Sequence, residues 1–115
     1  MGERVITRGV EYPIGWRFKL DANTPKPLTG YKVLIQMRAH DRADEVIKEW
    51  TESSPEVTFT PLTGAVDLLM KPSTTLAFTF KTCVLDCWVY DGVVDTDGDR
   101  TPLEHITLNW GSSRL

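Results

Sequence analysis

The chain has 115 residues, 41% apolar and 25% charged, with a formal net charge of −3, a composition that fits one domain able to bury a core without disulfide or metal staples. Its basic residues are scattered singly, so a nucleic-acid partner, whose phosphates select clustered Lys and Arg, is not expected. No apolar run approaches the ~20 residues of a membrane-spanning helix, and charges interrupt MGERVITRGVEYPIG where a leader needs its apolar segment, so neither a membrane partner nor export through a cleaved leader is expected.

Alternation of apolar and polar residues, the signature of a half-buried strand, dominates the chain. GWRFKL (15–20) puts Trp16, Phe18 and Leu20 on one face and Arg17 and Lys19 on the other. DANTPKPLTG follows, where Pro25, Pro27 and Gly30 predict a long polar loop without regular structure that joins 15–20 to 31–39 as a hairpin. YKVLIQMRA (31–39) turns Tyr31, Val33, Ile35, Met37 and Ala39 inward. Lys32, Gln36 and Arg38 then face solvent or a partner, with Leu34 the exception. VIKEW (46–50) alternates briefly before TESSPE breaks it. VTFT (57–60), PLTG and AVDLLM (65–70) read as a second hairpin.

In KPSTTLAFTF, Pro72 and the Ser/Thr cluster suit a single helical turn that carries Leu76 and Phe80 into the core. TCVLDCWVYD (82–91) is the longest strand candidate and is expected at the centre of a sheet. VDTDGDR reads as a turn, and TPLEHITLNW (101–110) as the last strand, with Ile106, Leu108 and Trp110 against His105, Thr107 and Asn109. The pattern predicts an all-β protein, a sandwich or barrel of roughly seven to eight strands. It forms one domain over 1–115 with a short polar tail at 111–115. The expected core contains Trp16, Phe18, Val33, Ile35, Met37, Leu68, Val84, Trp88 and Leu108.

Residues with chemistry to offer form no motif. Cys83 and Cys87 lie four apart on one strand, ~13 Å between Cα atoms, whereas a disulfide spans at most ~7 Å. They are read as buried free thiols. Asp95, Asp97, Gly98 and Asp99 resemble half of a calcium loop. The frame counted from Asp95 then needs Gly and Glu where Arg100 and Ile106 stand, so a hairpin turn is the better reading and no metal is expected. His40 and His105 are far apart, and no nucleophile elbow, zinc helix or phosphate loop occurs, so no catalytic residue and no cofactor is expected. Trp50 and Trp110 flank loops, where an indole either packs into the core or, exposed, anchors an interface, and they are the candidate partner contacts.

The order of these features resembles small immunoglobulin-like proteins of bacteriophage structural gene clusters, similar to the N-terminal domain of baseplate upper proteins. The resemblance runs from about Val10 to Trp110 and is most specific in LTGYKVLIQMR. FTPLTGAVDLLM, CWVYDG and PLEHITLNW follow the family pattern, and TLAFTFKTC departs from it, since members carry Pro-Gly or Ala-Gly before a Tyr.

The resemblance implies an immunoglobulin-like antiparallel β-sandwich without catalytic residues. It implies a virion structural protein made in the host cytoplasm, in a tail or baseplate, held in multiple copies by other virion structural proteins. Capsid decoration is the alternative within the same class. A carbohydrate-binding module using Trp50, Tyr90 and Trp110 is the reading from another class. Contacts with neighbours are expected from segments 21–29 and 40–56 and from the C-terminal strand and tail.

Overall fold

The computed structural model describes residues 4–39, 46–91 and 98–109; the expectations for His40, Asp95, Asp97 and Trp110 fall outside them. The period-two pattern builds, in chain order, β1 (Arg4–Thr7), β2 (Tyr12–Arg17), β3 (Lys19–Asp21), β4 (Thr24–Pro25), β5 (Lys32–Arg38) and β6 (Val46–Thr51). After these come β7 (Val57–Thr60), a 3-10 turn (Pro61–Thr63), β8 (Ala65–Met70), a short helix α1 (Pro72–Leu76), β9 (Thr82–Tyr90), β10 (Gly98–Arg100) and β11 (Glu104–Asn109). The protein is all-β. Among the described residues the strands form a large sheet of order β1-β11-β9-β5-β6 with β10 also on β9, a three-stranded sheet β2-β8-β7, and the small β3-β4 pair. Side chains from both larger sheets meet in one apolar cluster.

β9 is central, as its length predicts. β5 pairs with it from Val84 to Tyr90. Its other edge is shared: β11 takes Thr82–Leu85 and β10 takes Trp88–Tyr90. Thr101 closes the gap between them. Its N–H donates to Cys87 O at 2.9 Å, and its hydroxyl accepts from Cys87 N–H at 3.0 Å. β10 occupies residues read from sequence as turn, because Asp and Gly there mask a strand of only three residues.

The expectation of purely antiparallel pairing is corrected by β1, which runs parallel to β11 with Arg4 opposite Ile106 and Thr7 opposite Asn109. Four residues with a charge at one end carry too little alternation to announce a strand. Arg8 and its neighbours then carry the chain from the large sheet to β2 in the small one. Pro13 sits harmlessly in β2. Leu69 N–H donates toward β7, to Glu56 O at 2.9 Å, so the alternate residues Leu68 and Met70 turn their backbone groups to Ile14 and Tyr12. The Pro13 nitrogen therefore lies on the open edge of the sheet, where a missing N–H breaks no ladder bond and discourages edge pairing.

Of the expected core, Trp16, Phe18, Val33, Ile35, Met37, Leu68, Val84 and Leu108 are buried. Trp88 is only partly so. Register puts it beside Leu34, on the face opposite Ile35 and Cys87. Leu20 breaks the alternation of GWRFKL and is 64% exposed. β2 ends at Arg17, and the chain then enters the β3-β4 hairpin, a regular element inside the expected loop. The expected hairpin of 15–20 with 31–39 is corrected, since this crossover carries the chain from one sheet to the other, β2 pairing with β8 and β5 with β9 and β6. The helical turn exists, but its inward residues are Thr75 and Phe78, not Leu76, which is exposed; Phe80 is partly buried, its ring 5.2 Å from that of Phe78. Thr75 decides the phase. Its hydroxyl donates to Val10 O at 2.9 Å and accepts from Gly9 N–H at 3.0 Å.

Candidate functional site

Trp50 is not a surface residue. β6 pairs with β5 so that Trp50 stands beside Ile35 on the inner face, and it is 2% exposed. A ring so enclosed offers no area to a partner, which corrects its expected role as an interface anchor. The indole N–H donates to Glu56 Oε1 at 2.8 Å. Glu56 Oε2 accepts from Lys71 N–H and from the Thr74 hydroxyl, each at 2.7 Å. Burial alone works to raise the Glu56 carboxyl, but the bonds from Lys71, Thr74 and Trp50 outweigh it and hold the group below its usual range. One carboxylate thus ties β6, the end of β8 and α1 together. Trp110, the other expected anchor, lies outside the described residues.

The outer face of β9 carries the constellation that sequence reasoning missed. Asp86 has no exposed side-chain surface, yet it points away from the apolar core, opposite Gln36 in the register. Its Oδ2 accepts from Arg38 Nη2 at 3.3 Å and from Arg100 Nε at 2.5 Å. Arg38 also donates to Gln36 Oε1, and the Arg100 guanidinium lies 5.1 Å from the Trp88 ring centre. Three strands, β5, β9 and β10, are pinned through one oxygen. Asp86 Oδ1, Arg38 Nε and Trp88 Nε1 are buried here without a hydrogen-bond partner. The arrangement holds three strands together.

The cysteines stand where expected. Both are free and buried on the inner face of β9, and burial pushes the Cys83 thiol up to about 12 and the Cys87 thiol higher still. Asp99 forms an ion pair with Lys26, and Lys26 in turn lies 5.7 Å from the Tyr31 ring centre. The Asp99 end of the expected turn is thus used to fasten the loop before β5. Among the described residues no group of three or more His, Cys, Asp or Glu is arranged to hold a metal ion. His105 is exposed on β11.

Accessible features lie at the two ends of the strands and on the β2-β8-β7 sheet, where a cleft of about 300 Å³ opens beside Arg4, Pro13, Asp67 and the exposed Leu69. At one end Phe18 N–H donates to Gly64 O at 2.8 Å and Leu28 N–H to Pro61 O at 2.7 Å, stitching the β3-β4 hairpin to the 3-10 turn. Gly64 is required there: its φ is +67°, and a Cβ would stand 2.6 Å from both Lys26 O and Phe18 O. Leu20 and Leu62 project from these joined turns, 64% and 75% exposed. At the other end a cleft of about 420 Å³ opens between β6 and α1, walled by Ile47, Ala77 and Phe78 and rimmed by Lys48 and Thr74. Sequence patterning marks neither, because an exposed Leu in a turn looks like any loop residue. No protein-family model matches the chain, and no curated protein matches its sequence.

Proposed function

We propose that the chain is an immunoglobulin-like sandwich serving as a bacteriophage virion structural protein, a tail or baseplate component that acts through contacts with other virion proteins. The observation that carries the fold part of this reading is strand order. In an immunoglobulin variable-type domain, strands B, E and D make one sheet, and G, F, C and C′ the other. Here β2-β8-β7 stand in the places of B, E and D, and β11-β9-β5-β6 in those of G, F, C and C′. Cys87 falls on the strand equivalent to F, but β2 carries Ile14 and Trp16 where a disulfide partner would stand. Packing replaces the bridge.

Fold alone assigns no function, and the virion role rests on the sequence resemblance, above all LTGYKVLIQMR. Two features of the site favour it over the glycan reading. Trp50, one of the three aromatics a sugar platform would use, is buried, and the charged cluster on β9 is internally paired. The test is quantitative mass spectrometry of purified particles from the phage that encodes the chain. A fixed stoichiometry with tail or baseplate proteins is expected. Its absence from particles, or its recovery with tail-less heads, overturns the tail assignment, the second result pointing to capsid decoration.

A further inference from the structure

The short helix α1 is held on its two sides by groups of different kinds. On one side Thr75 is buried, its hydroxyl donating to Val10 O and accepting from Gly9 N–H. Arg8 adds bonds to Leu76 O at 2.6 Å and to Phe78 O at 2.9 Å. On the other side Lys71 N–H and the Thr74 hydroxyl meet a single oxygen, Glu56 Oε2. None of residues 71–74 is buried, and Lys71, Pro72 and Ser73 are exposed. We infer that this first turn is a flap hinged at Thr75 and latched by the Glu56 carboxylate, and that acid releases the latch and opens the cleft between β6 and α1. The inference goes beyond the virion reading and does not depend on it.

Packing does little to hold the flap. The cleft of about 420 Å³ lies between β6 and α1, where apolar contact would otherwise fasten them. Ser73 and Thr74 are the flap's share of its wall, whereas Ala77 and Phe78 stand beyond the hinge. Lifting the flap breaks the two bonds to Glu56 and the bonds from Thr74 N–H and Thr75 N–H to Lys71 O. It leaves Phe78 in place, buried and packed against Phe80. Little apolar surface changes its environment, so hydrogen bonds decide the equilibrium.

Charge makes that equilibrium respond to pH. An ionised carboxylate accepts bonds more strongly than the neutral acid, and each latch bond needs an acceptor. Burial is the largest single influence on the Glu56 carboxyl and raises it. The bonds from Lys71, Thr74 and Trp50, with the charge of Lys48 on β6, together outweigh burial and leave the group below its usual range. Among the described residues, Arg4 of β1 and Asp67 of β8 border the shallow cleft that Glu56 also lines, and they are paired with Glu104 and Arg17. Glu52, on the same connection as Glu56, accepts from Val33 N–H. With the flap open the carboxyl loses its bonds from Lys71 and Thr74 and takes up a proton more readily. Closure is therefore favoured above the usual carboxylate value of ~4.3 and fades as pH falls below it.

Amide hydrogen exchange of the full chain, read residue by residue as protection relative to an unstructured chain, reports such openings. At neutral pH the Lys71, Thr74 and Thr75 amides are expected to be far less protected than those of β9. Their exchange should not respond to low urea, the mark of an opening that exposes little surface, whereas β9 exchange rises with it. Between about pH 6 and about pH 3 the flap amides should lose protection roughly fivefold. Glu56→Gln should show the looser values already at neutral pH and no further loss in acid. Thr74→Val keeps the carboxylate and drops one latch bond, so it should loosen the same amides at neutral pH and retain the acid response. Flap amides that keep their protection in acid, or that share the protection and urea dependence of β9, overturn the inference. A Glu56→Gln protein whose flap responds to acid as the wild type does also overturns it, since another group would then be titrating.

Discussion

Leu85 and Asp86 are neighbours on β9 with equal burial, 0% exposed each, and they are buried by different physics. Leu85 faces the shared core with Cys83, Cys87 and Val89, where apolar area removed from water and close packing stabilise it. Asp86 faces outward and is enclosed by Arg38 and Arg100, which return to it part of the solvation it has lost. One side of a strand is held by cohesion and the other by pairing. The first tolerates any apolar side chain of similar volume. The second depends on partners from two other strands being in place.

The sharpest test compares the two neighbours directly. Leu85→Ala is expected to cost ~2–5 kcal/mol, the transfer term plus the cavity left in the core, read as a drop in chemical denaturation midpoint at unchanged slope. Asp86→Ala is expected to cost less, ~1–3 kcal/mol. Removing one member of a buried pair strands the others, but Arg100 keeps 39% of its side-chain exposure and regains water. If Asp86→Ala costs more than Leu85→Ala, the pinning of β5, β9 and β10 outweighs the core, and the comparison is inverted.

The same division explains what could be read from sequence. Core positions in β5, β8 and β11 followed from period two alone, since an inward residue on a sheet must be apolar and its neighbour need not be. Asp86 defeats that rule because it interrupts TCVLDCWVY with a charge whose partners are 48 and 14 residues away in the chain. No local pattern announces such a meeting. Trp50 was misplaced for a related reason. Its position after Lys48 and Glu49 looked like the end of a solvated loop, and only the pairing of β6 with β5 reveals the inward face. The parallel β1-β11 ladder joins the two ends of the chain, a separation about which alternation says nothing. Of the site at the two ends, only the glycine of PLTG was legible, as a turn. The leucines beside it carry no signal until their exposure is known.

Glu56 lies between the two regimes, a partly exposed carboxylate closing on a buried indole. Glu56→Gln keeps the shape and removes the charge, and is expected to cost about 1 kcal/mol at neutral pH, the scale of one net hydrogen bond. The sign with pH follows from the lowered folded-state value. A carboxyl depressed on folding adds stability that is fully present above its unfolded value of ~4.3. That stability fades as pH falls below this value and through the folded one. Melting temperatures of wild type and Glu56→Gln should therefore differ above about pH 5 and converge as acid is added. Parallel curves across that range would mean that the clamp on α1 works by shape and owes nothing to charge.

The smallest expected effect is none at all, and it calibrates the others. Cys83 and Cys87 bracket Leu85 on the inner face, buried, their thiols raised by loss of solvent, Cys83 to about 12. Only the thiolate attacks a disulfide reagent, so at pH 8 the native protein should show no labelling on the timescale of a free thiol. Both sites should react fully in denaturant. Residual labelling then measures how often β9 opens, and its rate tracks the population of open molecules where reclosing is fast. Since ~1.4 kcal/mol is tenfold in a population, Leu85→Ala should speed labelling of both cysteines by roughly thirty- to several-thousandfold, in step with its loss of stability. Asp86→Ala acts on the other face of the same strand. If it works only by lowering global stability, its acceleration will match its denaturation midpoint. Labelling faster than that midpoint predicts would mean β10 and β9 part locally while the core stays closed, separating the paired face from the packed one in kinetics as well as in energy.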